Sequence, residues 1–461
     1  MSRLLWRLSA VLLILSMLAA GCSNAKSDTT SPTTIAGKGS SPAGQRGTGG
    51  GAAHRKTFES ISGVPGVTDR EIAYAVIGTK ANNPLGTCIL DCYLKGIKAY
   101  FAFRNSEGGI YGRHLVIGQE LDDALSQNQV QALAVTSGKK SFGAFEATLV
   151  ASGWGDLDAA GVPTYAWGIQ PTDSANRPHI FPSVAIRCAD CTTRVVPYAV
   201  KVARAKHVAS IGYGISDNSK VCARSVAESI RLYSSDIGAD VAYVNDKLEF
   251  GLPNGIGPEV TAMKKAGVDF ISTCIDLNGM KSLAQELNRQ GMQNVVLYHP
   301  NSYDQRFVAG AGGIFDGDFV SVLFQPFESD TAGTALSDFQ TWMAKQGDQV
   351  TELAMVGWIN ASLAFEGLLA AGPKFDRAKV TDATNSLTHF SAGGLIQPVD
   401  WSVAHTPYTQ ATRNRDKGQE CGTLVRIKNG RFVTVAPRAK PWICWDNSTT
   451  RWSEPVPTSF G

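Results

Sequence analysis

Apolar and polar positions along this 461-residue chain follow two periods, and the switches between them mark out its elements. Glu71 to Ile77 (EIAYAVI) is a short apolar run rich in β-branched and aromatic residues, which predicts a strand, and the Gly, Asn and Pro of residues 78–86 predict a loop after it. From Asp91 the apolar positions Leu94, Ile97 and Phe101 recur at helical spacing until Asn105, Gly108 and Gly109, the pattern of a helix and its ending turn. His114 to Leu121 returns to strand composition. Gly66 to Leu121 therefore reads as a βαβ unit, which favours a parallel sheet with its ligand side at the strand C-termini.

The alternation continues downstream. Ser126 is suited to cap a helix through Ser137, Lys140 to Phe145 reads as a strand followed by the loop Glu146-Ala147-Thr148, and Val150 to Ala160 as a helix. Val162 to Trp167 reads as a strand ending in Ala166-Trp167-Gly168, and His179 to Pro182 as a crossing strand. The pattern then restarts: helices over 192–204, 219–235, 257–266 and 280–290 separate strands over 208–212, 241–245, 270–274 and 295–298, with the loop His299 to Tyr303 next. Phe319 to Phe324 is a further strand, ended by Pro326. In a mostly helical block, Leu336, Phe339, Trp342 and Met343 share a face and Ala354 to Ala371 is nearly all apolar or small, as core faces are. Thr423 to Ile427 and Arg431 to Val435 flank Asn429-Gly430, a hairpin signal.

The N-terminus reads differently. Arg3 and Arg7 precede an apolar run from Ala10 to Ala20 too short for a mature membrane-spanning helix, so Met1 to Gly21 is read as an export signal. It ends in Leu18-Ala19-Ala20-Gly21-Cys22, which resembles the lipobox where bacterial lipoproteins are cut and acylated on cysteine; an ordinary cleaved signal is the alternative. A lipid on Cys22 would be the chain's membrane attachment. Residues 22–57 are mostly Ser, Thr, Gly, Ala, Pro and Lys, too poor in large apolar side chains to offset the entropy of ordering, and read as a flexible tether.

The roughly 400 residues beyond suffice for two ordinary domains. The formal charge is +3, and two of the positive charges, Arg3 and Arg7, lie in the signal, so nothing favours nucleic acid or an acidic membrane surface. After Cys22, eight cysteines remain, an even number that argues for disulfides in an exported chain. Proximity suggests Cys88 with Cys92, Cys188 with Cys191 and Cys421 with Cys444, leaving Cys222 with Cys274. Cys188-Ala-Asp-Cys191 also matches a redox C-x-x-C, but does not open a helix after a first strand, and no histidine stands near it to complete a zinc site.

No motif assembles catalytic chemistry. Gly212-Tyr213-Gly214 follows a strand and precedes a helix, yet Asp217 replaces the third glycine of a dinucleotide fingerprint. The phosphate loop, H-E-x-x-H and G-x-S-x-G are missing, and Ser137-Gly-Lys-Lys140 lacks its partner motifs. The chain thus predicts neither an enzyme, nor a cofactor, nor a metal. What remains is strand-end loops carrying polar and aromatic residues: Thr79, Glu146, Thr148 and Trp167 in one half, and Tyr213, Ser216, Asp217, Asp276, Tyr298 and His299 in the other. Asp217 and Asn218 fit either a cap for the helix at Ser219 or a ligand contact, Asn278 either a cap for the helix at Met280 or a ligand contact, and Tyr213 and Tyr298 either rim packing or a ligand.

The order GVTDREI, loop, KGIKAYFAFRNSEGGIYGR, strand, with the AGVP of Ala160 to Pro163, resembles type I periplasmic-binding proteins, particularly those serving branched-chain amino acid ABC importers, over about Gly66 to Val435. The resemblance implies two Rossmann-like α/β lobes joined by three crossovers, near Ser183, Pro326 and Cys421. Lobe one would comprise 58–185 plus 327–420, and lobe two 186–326 plus 421–461. It implies a monomer that closes by a hinge on a small solute and presents it to an ABC permease; a ligand-sensing receptor module and an exported α/β enzyme are the alternatives. In that family the α-carboxylate of an amino acid is held by hydroxyls and backbone N–H groups of two lobe-one loops, and its ammonium by an acid of lobe two. The matching loops here are Glu146-Ala147-Thr148 and Ala166-Trp167-Gly168, where only Thr148 supplies a hydroxyl, and His299 stands where the acid is expected. Trp167 offers a flat apolar platform, so the expected solute is larger or more apolar than leucine, with one anionic group near Thr148 and the helix at Val150.

Overall fold

The strand Glu71–Gly78 (β1) is apolar on both faces because it lies in the middle of a parallel sheet with helices over it. The structure, a computed structural model, describes residues 57–126, 140–149, 153–167, 174–188, 190–300, 302–413 and 419–461. Cys22 and Gly168 lie outside them, as does nearly all of the helix expected from Ser126. β1 is followed by α1 (Leu90–Ser106), β2 (His114–Asp122), β3 (Gly143–Ala147), α2 (Trp154–Ala159), β4 (Thr164–Ala166) and β5 (Ile180–Pro182). The five strands are all parallel, in the order β2-β1-β3-β4-β5.

The chain then leaves for a second sheet, through α3 (Val195–Ala203), β6 (His207–Tyr213), α4 (Asp217–Ile237), β7 (Asp240–Leu248), α5 (Gly257–Lys265), β8 (Phe270–Cys274), α6 (Leu277–Arg289), β9 (Val296–His299), α7 (Gln305–Gly310) and β10 (Phe319–Val322). It returns to the first lobe as α8 (Ala335–Lys345), α9 (Glu352–Ala371), α10 (Arg377–Asn385) and α11 (Trp401–Ala404). It crosses a third time into β11 (Gln419–Lys428), β12 (Arg431–Thr434), β13 (Trp442–Asp446) and β14 (Val456–Thr458). The second sheet runs β14-β13-β11-β10-β9-β8-β6-β7, with β12 on β11; strands β6 to β10 pair in parallel, and the C-terminal strands pair antiparallel. This is the expected α/β architecture of two lobes with three crossings.

Local chemistry explains most of the boundaries. Asn429 and Gly430 both have positive φ (53° and 68°), which a two-residue hairpin turn between β11 and β12 requires. Two expected caps are corrected: Ser216, not Asp217 or Asn218, accepts the Ser219 N–H at the start of α4, and Asp276, not Asn278, caps α6. Both helices begin earlier than apolar spacing suggests, because a cap is chosen by side-chain oxygen geometry. β3 starts later than Lys140 because its pairing with β1 begins at Gly143 opposite Tyr74, which takes Glu146 and Ala147 into the strand. His299 likewise closes β9 instead of opening a loop.

The core of lobe one is α9 laid on α1. Its length and composition would suit a membrane span, yet most of it is buried inside the protein. The helices meet at glycines: a Cβ on Gly96 would stand 1.7 Å from the Ala354 carbonyl oxygen, and one on Gly357 2.1 Å from that of Tyr93. Across the contact Asn360 donates to the Tyr93 hydroxyl (2.6 Å), which donates to the Tyr165 carbonyl of β4 (2.9 Å), so the two helices and the sheet share one buried polar chain. The three cysteine pairs suggested by proximity, 88 with 92, 188 with 191 and 421 with 444, are bonded, and so is the remaining pair, 222 with 274.

Candidate functional site

The loop after β1 meets the start of α6, which follows β8, so strand C-termini of both sheets border the place where parallel α/β sheets form their ligand crevice. The lobes touch there: the Asn278 side-chain amide, at the start of α6, donates to the Pro84 carbonyl (3.5 Å) and packs against Gly86, whose Cβ position lies 3.3 Å away. The loop carrying Pro84 is internally braced. Asn83 donates to the Thr87 carbonyl (2.7 Å) and accepts from the Leu85 N–H (3.0 Å), Asp122 accepts from the Lys80 and Ala81 N–H groups, and the Cys88–Cys92 disulfide closes it onto α1.

On the lobe-one side Thr79 is buried and ties two strand ends together: its N–H donates to the Ala147 carbonyl (3.0 Å) and its hydroxyl accepts from the Leu149 N–H (3.0 Å). Glu146 is fully buried; its carbonyl accepts from the Trp167 N–H (2.8 Å) and its carboxylate from the Thr148 hydroxyl (3.4 Å). Thr148 is itself buried, Ala147 and Ala166 are buried in the strands, and Trp167 is partly buried against the main core. Thr79, Glu146, Thr148 and Trp167 thus converge at adjacent strand ends.

On the lobe-two side Tyr213 and Asp276 form a unit. The Tyr213 hydroxyl donates to Asp276 Oδ1 in a short hydrogen bond, and burial together with the Asp276 charge raises the phenol above its ordinary range. Asp276 also accepts from the Asn278 (3.2 Å) and Gly279 (3.3 Å) N–H groups. Gly279 makes the room, since a Cβ there would stand 2.3 Å from the Tyr213 hydroxyl. Ser216 is spent on the α4 cap, and Asp217 is exposed and paired with Lys220 (2.7 Å), which lowers its carboxyl.

Two further sequence candidates are held inside lobe two. Tyr298 is buried in a separate core cluster with Phe319 and Ile443. His299 is 1% exposed, its Nδ1 is 2.9 Å from the Thr273 hydroxyl and its Nε2 3.1 Å from Asp318 Oδ2, so both ring nitrogens bind neighbouring strands. Sequence reasoning missed Ile215 and Phe250: they are 80% and 42% exposed, and Phe250 packs edge-on to the Tyr213 ring at 5.1 Å. Ile215 sits inside a segment read for its polar residues, and Phe250 follows a strand expected to end at Asn245.

The chain is similar to known proteins in sequence pattern and in fold. A sequence family described as "Periplasmic binding protein" matches residues 89–431, and no curated protein matches the chain by sequence. Among solved structures, a fatty acid ABC transporter substrate-binding protein from Thermomonospora curvata is similar at a TM-score of 0.62 and 16% identity, covering 87% of this chain and 99% of that one. The branched-chain amino acid transporter substrate-binding protein LivJ from Streptococcus pneumoniae, in complex with isoleucine, gives 0.60 and 14% over 79% and 100%. An ABC transporter solute-binding protein from R. palustris in complex with 4-hydroxybenzoate gives 0.60 and 17% over 79% and 95%. With the family match spanning most of its length and two α/β lobes joined by three crossings, the chain belongs to the periplasmic binding protein family, in its type I fold.

Proposed function

We propose that the chain is the extracytoplasmic solute-binding component of an ABC importer. Its lobes, 58–185 with 327–420 and 186–326 with 421–461, close on an amino-acid-like solute or a larger apolar or aromatic carboxylate and deliver it to a membrane permease. The observation that carries this reading is the contact where Asn278 of one lobe meets Pro84 and Gly86 of the other; Thr79, Thr148 and Trp167 at strand ends of lobe one and Tyr213 and Asp276 at strand ends of lobe two are the proposed walls. Structures with the same fold have bound isoleucine and 4-hydroxybenzoate, and their range of solutes supports a small organic acid here. Titration of amino acids, fatty acids and aromatic acids with tryptophan fluorescence as readout tests it. Saturable binding that Trp167→Ala weakens is expected, and turnover of a bound solute would speak for an enzyme instead. In the same reading Cys22 carries the lipid that tethers a monomer to the membrane, and a Cys22→Ala protein that still fractionates with membranes after signal cleavage would remove that part.

A further inference from the structure

Resting on the solute-binding reading, a narrower statement about the solute follows from which groups on the lobe-two wall remain available. An ammonium group leaving water needs a carboxylate or several acceptors, because an unpaired charge is costly to desolvate. Each acid in the loops after β6, β7, β8 and β9 has at least one carboxylate oxygen engaged within the protein, and the two exposed ones, Asp217 and Glu249, have one each. Asp217 is turned to Lys220, Glu249 accepts from Asn254 (3.1 Å), Asp304 caps α7, and Asp276 holds the first turn of α6 and the Tyr213 hydroxyl. To meet a solute, Asp276 would have to uncap α6. His299, where an acid was expected, is buried and bonded on both nitrogens.

Instead, the same wall shows water two apolar side chains, Ile215 and Phe250, at adjacent strand ends, the second backed by the Tyr213 ring. An exposed aromatic face attracts an ammonium only weakly, well short of its desolvation cost. A methylene chain or ring laid on that surface is stabilised by every CH₂ it removes from water. We infer that the solute is a carboxylic acid without an ammonium group, its apolar part resting on Ile215 and Phe250.

Matched pairs that differ only in the ammonium group test it by calorimetric titration of the full mature protein: leucine against 4-methylpentanoate, and phenylalanine against 3-phenylpropanoate. The acid lacking the amine binds at least tenfold tighter in one or both pairs. Phe250→Ala and Ile215→Ser, each checked for an unchanged melting temperature, weaken that binding at least fivefold. Tighter binding of the amino acids, or acid binding indifferent to both substitutions, overturns the inference and leaves the solute-binding reading standing. Binding of neither member of either pair, nor of a fatty acid or benzoate, overturns both.

Discussion

At the scale of single residues, His299 shows how a polar group at a strand end can serve the fold and not the cleft. Its imidazole bridges Thr273 of β8 and Asp318 before β10, and Asp318 in turn accepts from the Leu297 N–H (2.8 Å), so one side chain joins three adjacent strands. Burial raises the Asp318 carboxyl, and the imidazole offsets part of that. Replacing His299 by Ala removes the partner and leaves Asp318 in an apolar environment, so the cost is that of an orphaned buried group, about 3 kcal/mol. A denaturant midpoint for His299→Ala close to that of the parent would mean that water already serves Asp318. Arg194 makes the same kind of tie between crossings, its N–H groups bonding Glu420 and the Thr449 carbonyl. Residue type and order could not have distinguished these structural roles from ligand contacts. Asp276 stands just after β8 and His299 at the end of β9, and only the hydrogen-bond partners tell their roles apart.

Elements were legible where their signal is periodic. β1, α1, β2 and the hairpin at Asn429-Gly430 follow from apolar spacing and turn chemistry, because these are local properties of the chain. The caps at Ser216 and Asp276, the start of β3 and the short helices α7 and α10 were not, since each depends on register or on a side chain's reach. The contact between α1 and α9 lies between these cases: two apolar helices are legible, but the glycines that let them meet look like helix weakeners in the sequence. Ala in place of Gly would raise helix propensity by about 1 kcal/mol. At Gly96 the new Cβ would overlap the Ala354 carbonyl, a backbone atom that moves only if the helices part, and such overpacking costs about 1–3 kcal/mol or more. The clash wins, so Gly96→Ala is expected to destabilise by about 2 kcal/mol net. Gly155 in α2 has open space around its Cβ position, so Gly155→Ala supplies the control, with unchanged or raised stability. Equal behaviour of the two variants in urea titration would contradict the close packing.

At the scale of the whole molecule, the lobes also meet beside the second crossing, and that contact is acidic. Tyr303, after β9, donates its hydroxyl to Glu328 of the crossing (2.5 Å) and accepts the Phe327 N–H (2.7 Å). Its backbone N–H serves Glu352 in the first turn of α9, a lobe-one helix. A helix N-terminus would ordinarily favour the charged form. Burial, added to the repulsion of Asp304, outweighs it and pushes the Glu352 carboxyl from its ordinary 4.5 up to about 7. A carboxyl raised in the folded state binds its proton more tightly there than in the unfolded chain. The stability it contributes is therefore full below pH 4.5, falls as pH rises towards 7, and is gone above that. Glu328, Asp318 and Glu420 are raised as well, so the parent protein's pH profile alone does not isolate Glu352. The difference between parent and Glu352→Gln does, because Gln keeps the shape and cannot ionise. Discounted for the partial exposure of Glu352, the variant should gain on the parent by about 1–2 kcal/mol between pH 5 and pH 8, read from denaturant midpoints. A gap between the two proteins that stays constant over that range would show Glu352 charged throughout, and the interlobe contact would then have to bear a permanent charge beside Asp304.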